Sequence, residues 1–485
     1  MKRFLRKTLI WLARIAAILI VFLIILYAEE DWRGARDWVT CQKELQAKGE
    51  TLDLRQLAPP GKPEDDLSKV PIFAPLYQEE DNPKAPFNQI KVDFSADYSE
   101  LYPKPSSYLK GEPLDLAAWQ KYYRSIPEVH LPVQVGTPAQ DVLHVLSRFD
   151  PQMNEIDVAL SNSNAYWPIN YKMPFATPLG GVTKMIRLSQ LLQLRAISHL
   201  DNHETDLAEK DYLFSFRLNQ PLTKGCFLIN YLVIGAVRSI DDSILWDGLR
   251  RHAWTDAQLR EMESTLASTD MIALAADSFR IERASFVEAV KVAQDLDTNI
   301  VHRMKAHGLL FIFEYGMIRP QGWWYEDRIA YCEAIQKCLD GMDLSRGTVS
   351  STAFPYHVAS GSGDDSRSTN TSIWDKIYIP ISAASLSAFD NTGSRIAHAE
   401  TNRRLARLAC RLEEYHIAHG QYPDKLDELP DLPAHLNQEV LSEQPLRYQR
   451  KGDGYLLYSI GWNQKDDGGV LARDDREGDW VWPSP

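Results

Sequence analysis

Cysteine is scarce: Cys41, Cys226, Cys332, Cys338 and Cys410 in 485 residues, too few and odd in number for a disulfide scaffold. Cys332 and Cys338 fall in a helical-looking stretch, where six residues rise about 9 Å and put a bridge out of reach. Most of the cysteines read as small buried hydrophobes. Positive charge is scarce as well. The formal net charge is −13, and Lys2, Arg3, Arg6, Lys7 and Arg14 precede any acid, so setting aside that +5 leaves −18 for the rest. With no basic face to neutralise phosphates, nucleic acid is not an expected partner. Phosphate-cradling motifs are missing too, both G-x-G-x-x-G and the Walker Gly-Lys-Ser, so nucleotide binding has no support. The loop ASGSGDDS (359–366) holds serines beside glycines but no G-x-S-x-G elbow after a strand. No catalytic residue is therefore named from the sequence.

Long apolar runs are reduced to one. IAAILIVFLIILY (15–27) extends back to Leu9 if Trp11 anchors at the interface and Arg14 snorkels, giving about nineteen residues, just enough to span a bilayer. Basic residues before it and Glu29, Glu30 and Asp31 after it place the N-terminus in the cytoplasm by the positive-inside rule, with the bulk of the chain outside. A cleaved signal peptide ending at Ala28 is the rival reading, disfavoured by Leu26 where a small residue is wanted. CFLINYLVIGAV (226–237) and LLFIFEYGMI (309–318) are too short to cross and are expected as buried core helices.

What is present is a mainly α pattern. Residues 29–58 continue the anchor (1–28) as a juxtamembrane helix or stalk. Ten of the 27 prolines lie between Pro59 and Pro113, a strap or linker that neither helix nor central strand would tolerate. From 114 to 343 the period is helical, an irregular solenoid or bundle. Thr137 with Pro138, and Asp150 with Pro151, read as N-caps followed by proline, and Thr255 with Gln258 as a capping box. Residues 191–221 read as a helical hairpin around the turn DNHET. A Ser- and Gly-rich loop occupies 344–376, and 377–485 reads as a helix followed by a small antiparallel sheet, with a turn at Gly452 to Gly454.

Candidate chemistry is thin. His199 and His203 are four apart, as two zinc ligands on a helix would be, but Asn202 stands where an inverted zincin needs Glu, and a solvated turn is the expectation. His416 and His419 suit a helix C-terminus. GWWYEDR (322–328) offers aromatics that either stack on a ligand or anchor a neighbouring helix. The acidic loop within YSIGWNQKDDGGVLARDDREGDWVW (458–482) is the best candidate. Asp466, Asp467, Asp474 and Asp475 supply hard oxygens of the kind calcium takes, although as an EF-hand the spacing fails at the third and twelfth positions. Asp and Gly also make ordinary turns.

The last eighty or so residues carry a further pattern: a helix ending in Tyr415, Gly420, Tyr422 and Pro423, a hairpin closing on Tyr458, Ser459 and Gly461, then the acidic loop and GDWVW. This order resembles the globular domain of the type II secretion major pseudopilins. The resemblance implies a small antiparallel sheet and a structural calcium ion on Asp466, Asp467, Asp474 and Asp475. The pilin leader and the Glu early in its apolar helix are absent, and more than three hundred residues separate the anchor from the module, so assembly into a pilus is not implied. Nearly the whole chain resembles large bacterial single-pass membrane proteins that end in this module, which implies topology and no activity. The function expected is a membrane-anchored scaffold or binding protein of the bacterial inner membrane, its bulk periplasmic, contacting the bilayer and an envelope protein partner. The alternatives are an envelope hydrolase whose site is assembled from distant residues, and a secretion-system component.

Overall fold

The computed structural model describes residues 2–77, 90, 103, 108–177, 182–298, 320–354, 380–386, 389, 391–433, 435–471 and 476–484. It is mainly helical, 65%, with a small antiparallel sheet at the C-terminal end. The principal helices are α1 (Lys2–Ala47), α2 (Leu116–Ser125), α3 (Pro138–Leu146), α4 (Asp150–Leu160), α5 (Val182–Asp201), α6 (Thr205–Thr223), α7 (Leu228–Arg250), α8 (Asp256–Ala267), α9 (Met271–Thr298), α10 (Gly322–Asp340) and α11 (Thr392–His419). Strands β1 (Met342–Asp343) and β2 (Thr348–Val349) form a short hairpin, and β3 (Arg447–Lys451), β4 (Gly454–Ser459) and β5 (Trp480–Trp482) form the sheet in that order, all neighbours antiparallel.

α1 is one unbroken helix that is long and apolar enough to cross a membrane, and none of its apolar window is covered by the other described residues. Leu9, Ile18 and Ile24 stand open, as side chains facing lipid would. Past the acidic flank the character changes. Trp38, Cys41 and Leu45 are buried against α10, so this half of the helix is a packed element and not a free stalk. α1 ends at Ala47, and a separate turn of helix, Leu54–Leu57, is capped by Asp53.

The helical domain is a chain of neighbours. α2 packs on α3, α3 on α5, α5 on α6 and α7, α9 on α10, while α11 lies across α7, α8 and α9. Local chemistry starts these helices where expected in two cases: Thr137 and Thr255 each close a capping box, with Gln140 and Gln258. Asp150 departs from expectation. The chain enters α4 from a short 3-10 turn with Phe149 as N-cap, leaving Asp150 free to pair with Arg195 at 3.2 Å. α7 contains the first short apolar run and buries it as expected; the second, 309–318, lies outside the described residues.

The described part of the strap is laid on this domain. Ile72 and Phe73 are fully buried, Phe73 meets Trp167 edge-on at 5.5 Å, and Tyr108 sits between Trp246 and Trp482. α11 ends on Gly420 at φ 71°, a left-handed C-cap that glycine adopts without Cβ strain. The sheet then returns over α11. In register, Leu457 faces Trp482 and Tyr458 faces Val481, so Leu457 and Trp482 point to the core shared with Trp246 and Leu412. One of the apolar clusters is therefore shared by the helical domain and the sheet.

Candidate functional site

α7 is apolar around most of its girth yet carries Arg238, Asp241 and Asp242 at its middle, where all three are buried or nearly so. Charges are not placed in such a helix without partners or a use. One face of α7 (Tyr231, Gly235, Arg238, Ser239, Asp242) and one face of α11 (Arg395, His398, Ala399, Asn402, Arg403), each at three- and four-residue spacing, wall a pocket of about 320 Å³. The α8 to α9 junction closes it with Leu266, Thr269 and Met271. The junction is held by Asp270, which accepts from the N–H groups of Ile272 and Ala273, both at 2.9 Å. Gly235 opens the wall, since a Cβ there would meet nothing within 4 Å.

The pocket's charge balance is lopsided. Burial pushes the Asp242 carboxyl well above the usual carboxylate range, reinforced by Asp241 beside it. The same burial raises Asp241 to about 7, against the opposing pull of Arg238 at 3.6 Å. Burial thus favours the uncharged form of the Asp242 carboxyl, which can donate as well as accept, and the Tyr108 hydroxyl is 3.4 Å away. Arg238 lies over the Phe216 ring, and among the described residues neither its Nη1 nor the buried Tyr231 hydroxyl has a hydrogen-bond partner. Burial lowers the Arg238 guanidinium, but arginine keeps its proton in proteins.

The α11 wall is braced from behind. Trp480 of β5 meets the His398 ring edge-on at 5.0 Å, and Asn402 reaches His398 Nε2 at 3.3 Å. Arg403 holds Glu400 in a bidentate pair, both contacts 2.8 Å, and donates to the Leu266 carbonyl at 3.3 Å, fixing its guanidinium at the α8 end. Three arginines and a histidine thus line the pocket with Asp242, whose carboxyl burial pushes up. Leu232, Leu266 and Met271 give the same pocket an apolar side.

The acidic loop is arranged differently. Asp466 accepts from the Tyr458 hydroxyl and the Gly468 N–H, both at 3.0 Å, and from Arg447 Nε at 3.2 Å. The Gly468 N–H first, then Arg447 and Tyr458, hold its carboxyl below the ordinary value. Asp467 faces Lys465 at 3.4 Å. Asp474 and Asp475 lie outside the described residues. The carboxylate that organises the loop is Asp479, fully buried, which accepts from the N–H groups of Asp467 (3.3 Å) and Gly469 (2.7 Å). Among the described residues no three His, Cys, Asp or Glu side chains are grouped to hold a metal ion. Asp466 is thus engaged by three protein donors, one of them a cation.

The histidines fall in structural roles. His199 bonds Glu204 at 2.7 Å across the α5 to α6 turn, and His203 takes φ 61° in that turn. His416 stacks between His252 and Tyr422, and His419 bonds the Tyr415 carbonyl at 2.9 Å. In GWWYEDR, Trp323 donates to Glu30 of α1 at 3.0 Å and Arg328 lies over Trp38, so the segment anchors a neighbouring helix. The pocket residues were not singled out in the sequence. Their signal is the polar cluster RSIDD inside the apolar α7, and its partners lie more than 150 residues further on.

No family model, no curated protein and no solved structure matches the chain.

Proposed function

We propose that this is a membrane-anchored binding protein of the bacterial envelope, its N-terminus cytoplasmic and its helical domain periplasmic, which holds a small organic acid between α7 and α11. The observation that carries it is the pocket in which Arg238, Arg395, His398 and Arg403 face an Asp242 whose carboxyl is pushed up by burial. The topology rests on the basic residues before α1's apolar stretch and the acids after it. The test is thermal unfolding of the full chain in mild detergent against a panel of mono- and dicarboxylic acids. A ligand at a hundred times its Kd stabilises by about 2.7 kcal/mol, and that shift is expected for at least one class. No shift across the panel, with no small molecule co-purifying by native mass spectrometry, overturns the reading. Turnover of the bound acid or its ester would instead support the hydrolase alternative.

The resemblance to pseudopilins supports a separate proposal, a structural calcium ion on Asp466, Asp467, Asp474 and Asp475. The three protein donors already on Asp466 weigh against it. Calcium titration of the full chain decides: a rise in Tm that Asp467→Ala and Asp474→Ala abolish supports the ion, and an unchanged Tm overturns it.

A further inference from the structure

α1 and α10 run side by side in the same direction. Near the start of α10 the Gly322 N–H donates to the Asp31 carboxylate at 2.7 Å, and at its end Lys48, just past α1, pairs with Asp340 at 2.9 Å. The sequence separation is 291 at the first contact and 292 at the second, so one register is kept over about five turns. Cys41 and Cys332 are separated by 332 less 41, again 291, and stand level with each other.

The backbones approach closely. A Cβ on Gly34 would lie 2.5 Å from the Gly322 carbonyl oxygen, and one on Gly322 would lie 2.1 Å from that of Glu30. Small residues at a crossing bring helices together, and a disulfide between helices needs that short Cα separation. Cys41 and Cys332 belong to one buried cluster with Trp38 and Leu45, close enough for the two thiols to perturb each other. The neighbouring Cys332 thiol, first of all, holds the Cys41 thiol below its ordinary value, while burial raises Cys226, Cys338 and Cys410 and keeps them inert.

We propose that Cys41 and Cys332 form a disulfide that fastens the juxtamembrane half of α1 to α10. The Cys41 thiolate attacks one sulfur of an external disulfide and displaces its other half as a thiolate. Cys332 loses its proton and attacks the Cys41 sulfur of the mixed disulfide, releasing the second thiol. The two protein thiols give up two protons and two electrons, which the external disulfide takes up as two thiols. The bond ties the membrane anchor to α10, which packs on α9, so the domain is held at a fixed attitude to the anchor.

The experiment uses the full chain in detergent, reduced and then exposed to oxidised glutathione, quenched in acid, denatured and alkylated with a maleimide of high mass. The five adducts of the reduced protein are expected to fall to three, with a tryptic peptide joining Cys41 to Cys332 and full recovery after dithiothreitol. Cys41→Ala is expected to give four adducts with or without oxidant, whereas Cys332→Ala, which lacks the resolving thiol, is expected to fall from four to three with one glutathione held on Cys41. Five adducts surviving oxidation, a link between any other pair, or a link from Cys332 to Cys338 in Cys41→Ala overturns the proposal. The oxidant is supplied, so the outcome does not depend on which side of the membrane the domain lies.

Discussion

Gly235 offers a perturbation whose effects on the fold and on the ligand have opposite signs. It sits within α7, where glycine costs about 0.5–1 kcal/mol relative to alanine through its extra freedom in the unfolded chain. A Cβ there meets no atom within 4 Å, so Gly235→Ala recovers that cost without a clash. In a chain of this size the gain corresponds to a rise in Tm of about 1–2 °C. Gly235→Leu keeps most of the helical gain and projects an isobutyl group into the pocket of about 320 Å³. Ligand affinity should then fall at least about tenfold, or about 1.4 kcal/mol. Scanning calorimetry of the unliganded full chain reads the first effect, and calorimetric titration with the acid found in the panel reads the second. A Tm lowered by Gly235→Ala would refute the open wall at Gly235. Unchanged affinity in Gly235→Leu would place the ligand elsewhere, and the assignment of the pocket would fall with it.

Asp241 carries a pH dependence whose sign is fixed. Its folded value, about 7, lies above the unfolded carboxylate value, so its contribution is fully present below about pH 4 and is lost as pH rises towards 7. Asp241→Asn, neutral at every pH, should therefore gain on the wild type progressively across that window, by a few kcal/mol at most, as read by urea unfolding at stepped pH. A difference that stays flat from pH 4 to 8 would show that Asp241 is ionised throughout. Arg404, 1% exposed, bonds Glu400 within α11 and the Gln438 and Gly347 carbonyls, tying two separate segments to α11. Arg404→Met strands the two carbonyls but leaves Glu400 its pair with Arg403, so a loss of about 3 kcal/mol is expected, near the low end for a broken buried pair. Measured by urea unfolding, a loss under about 1 kcal/mol would mean that the network contributes no net stability.

Features that depend on near neighbours in the chain were legible from the start. The apolar helix after a basic start, the capping boxes at Thr137 and Thr255, the turn between α5 and α6, the C-cap at Gly420 and the β3–β4 hairpin all follow from residues within a few positions of one another. Asp150 shows where even that reading slips, because the 3-10 turn before it moved the cap to Phe149 and tertiary pairing with Arg195 took the carboxylate. The acidic loop was visible in composition, but its organiser Asp479 was not, since its role exists only once β5 pairs with β4 and buries it. The pocket and the facing thiols are wholly tertiary. Arg238 and His398, or Cys41 and Cys332, are brought together by helices that pack along faces set by apolar periodicity, and that periodicity records which face is buried without recording against what. Sequence alone determined that most of these segments are helical and where several of them start or stop; packing decided which distant polar groups share a cavity, because burial, not adjacency, sets their charge and their use.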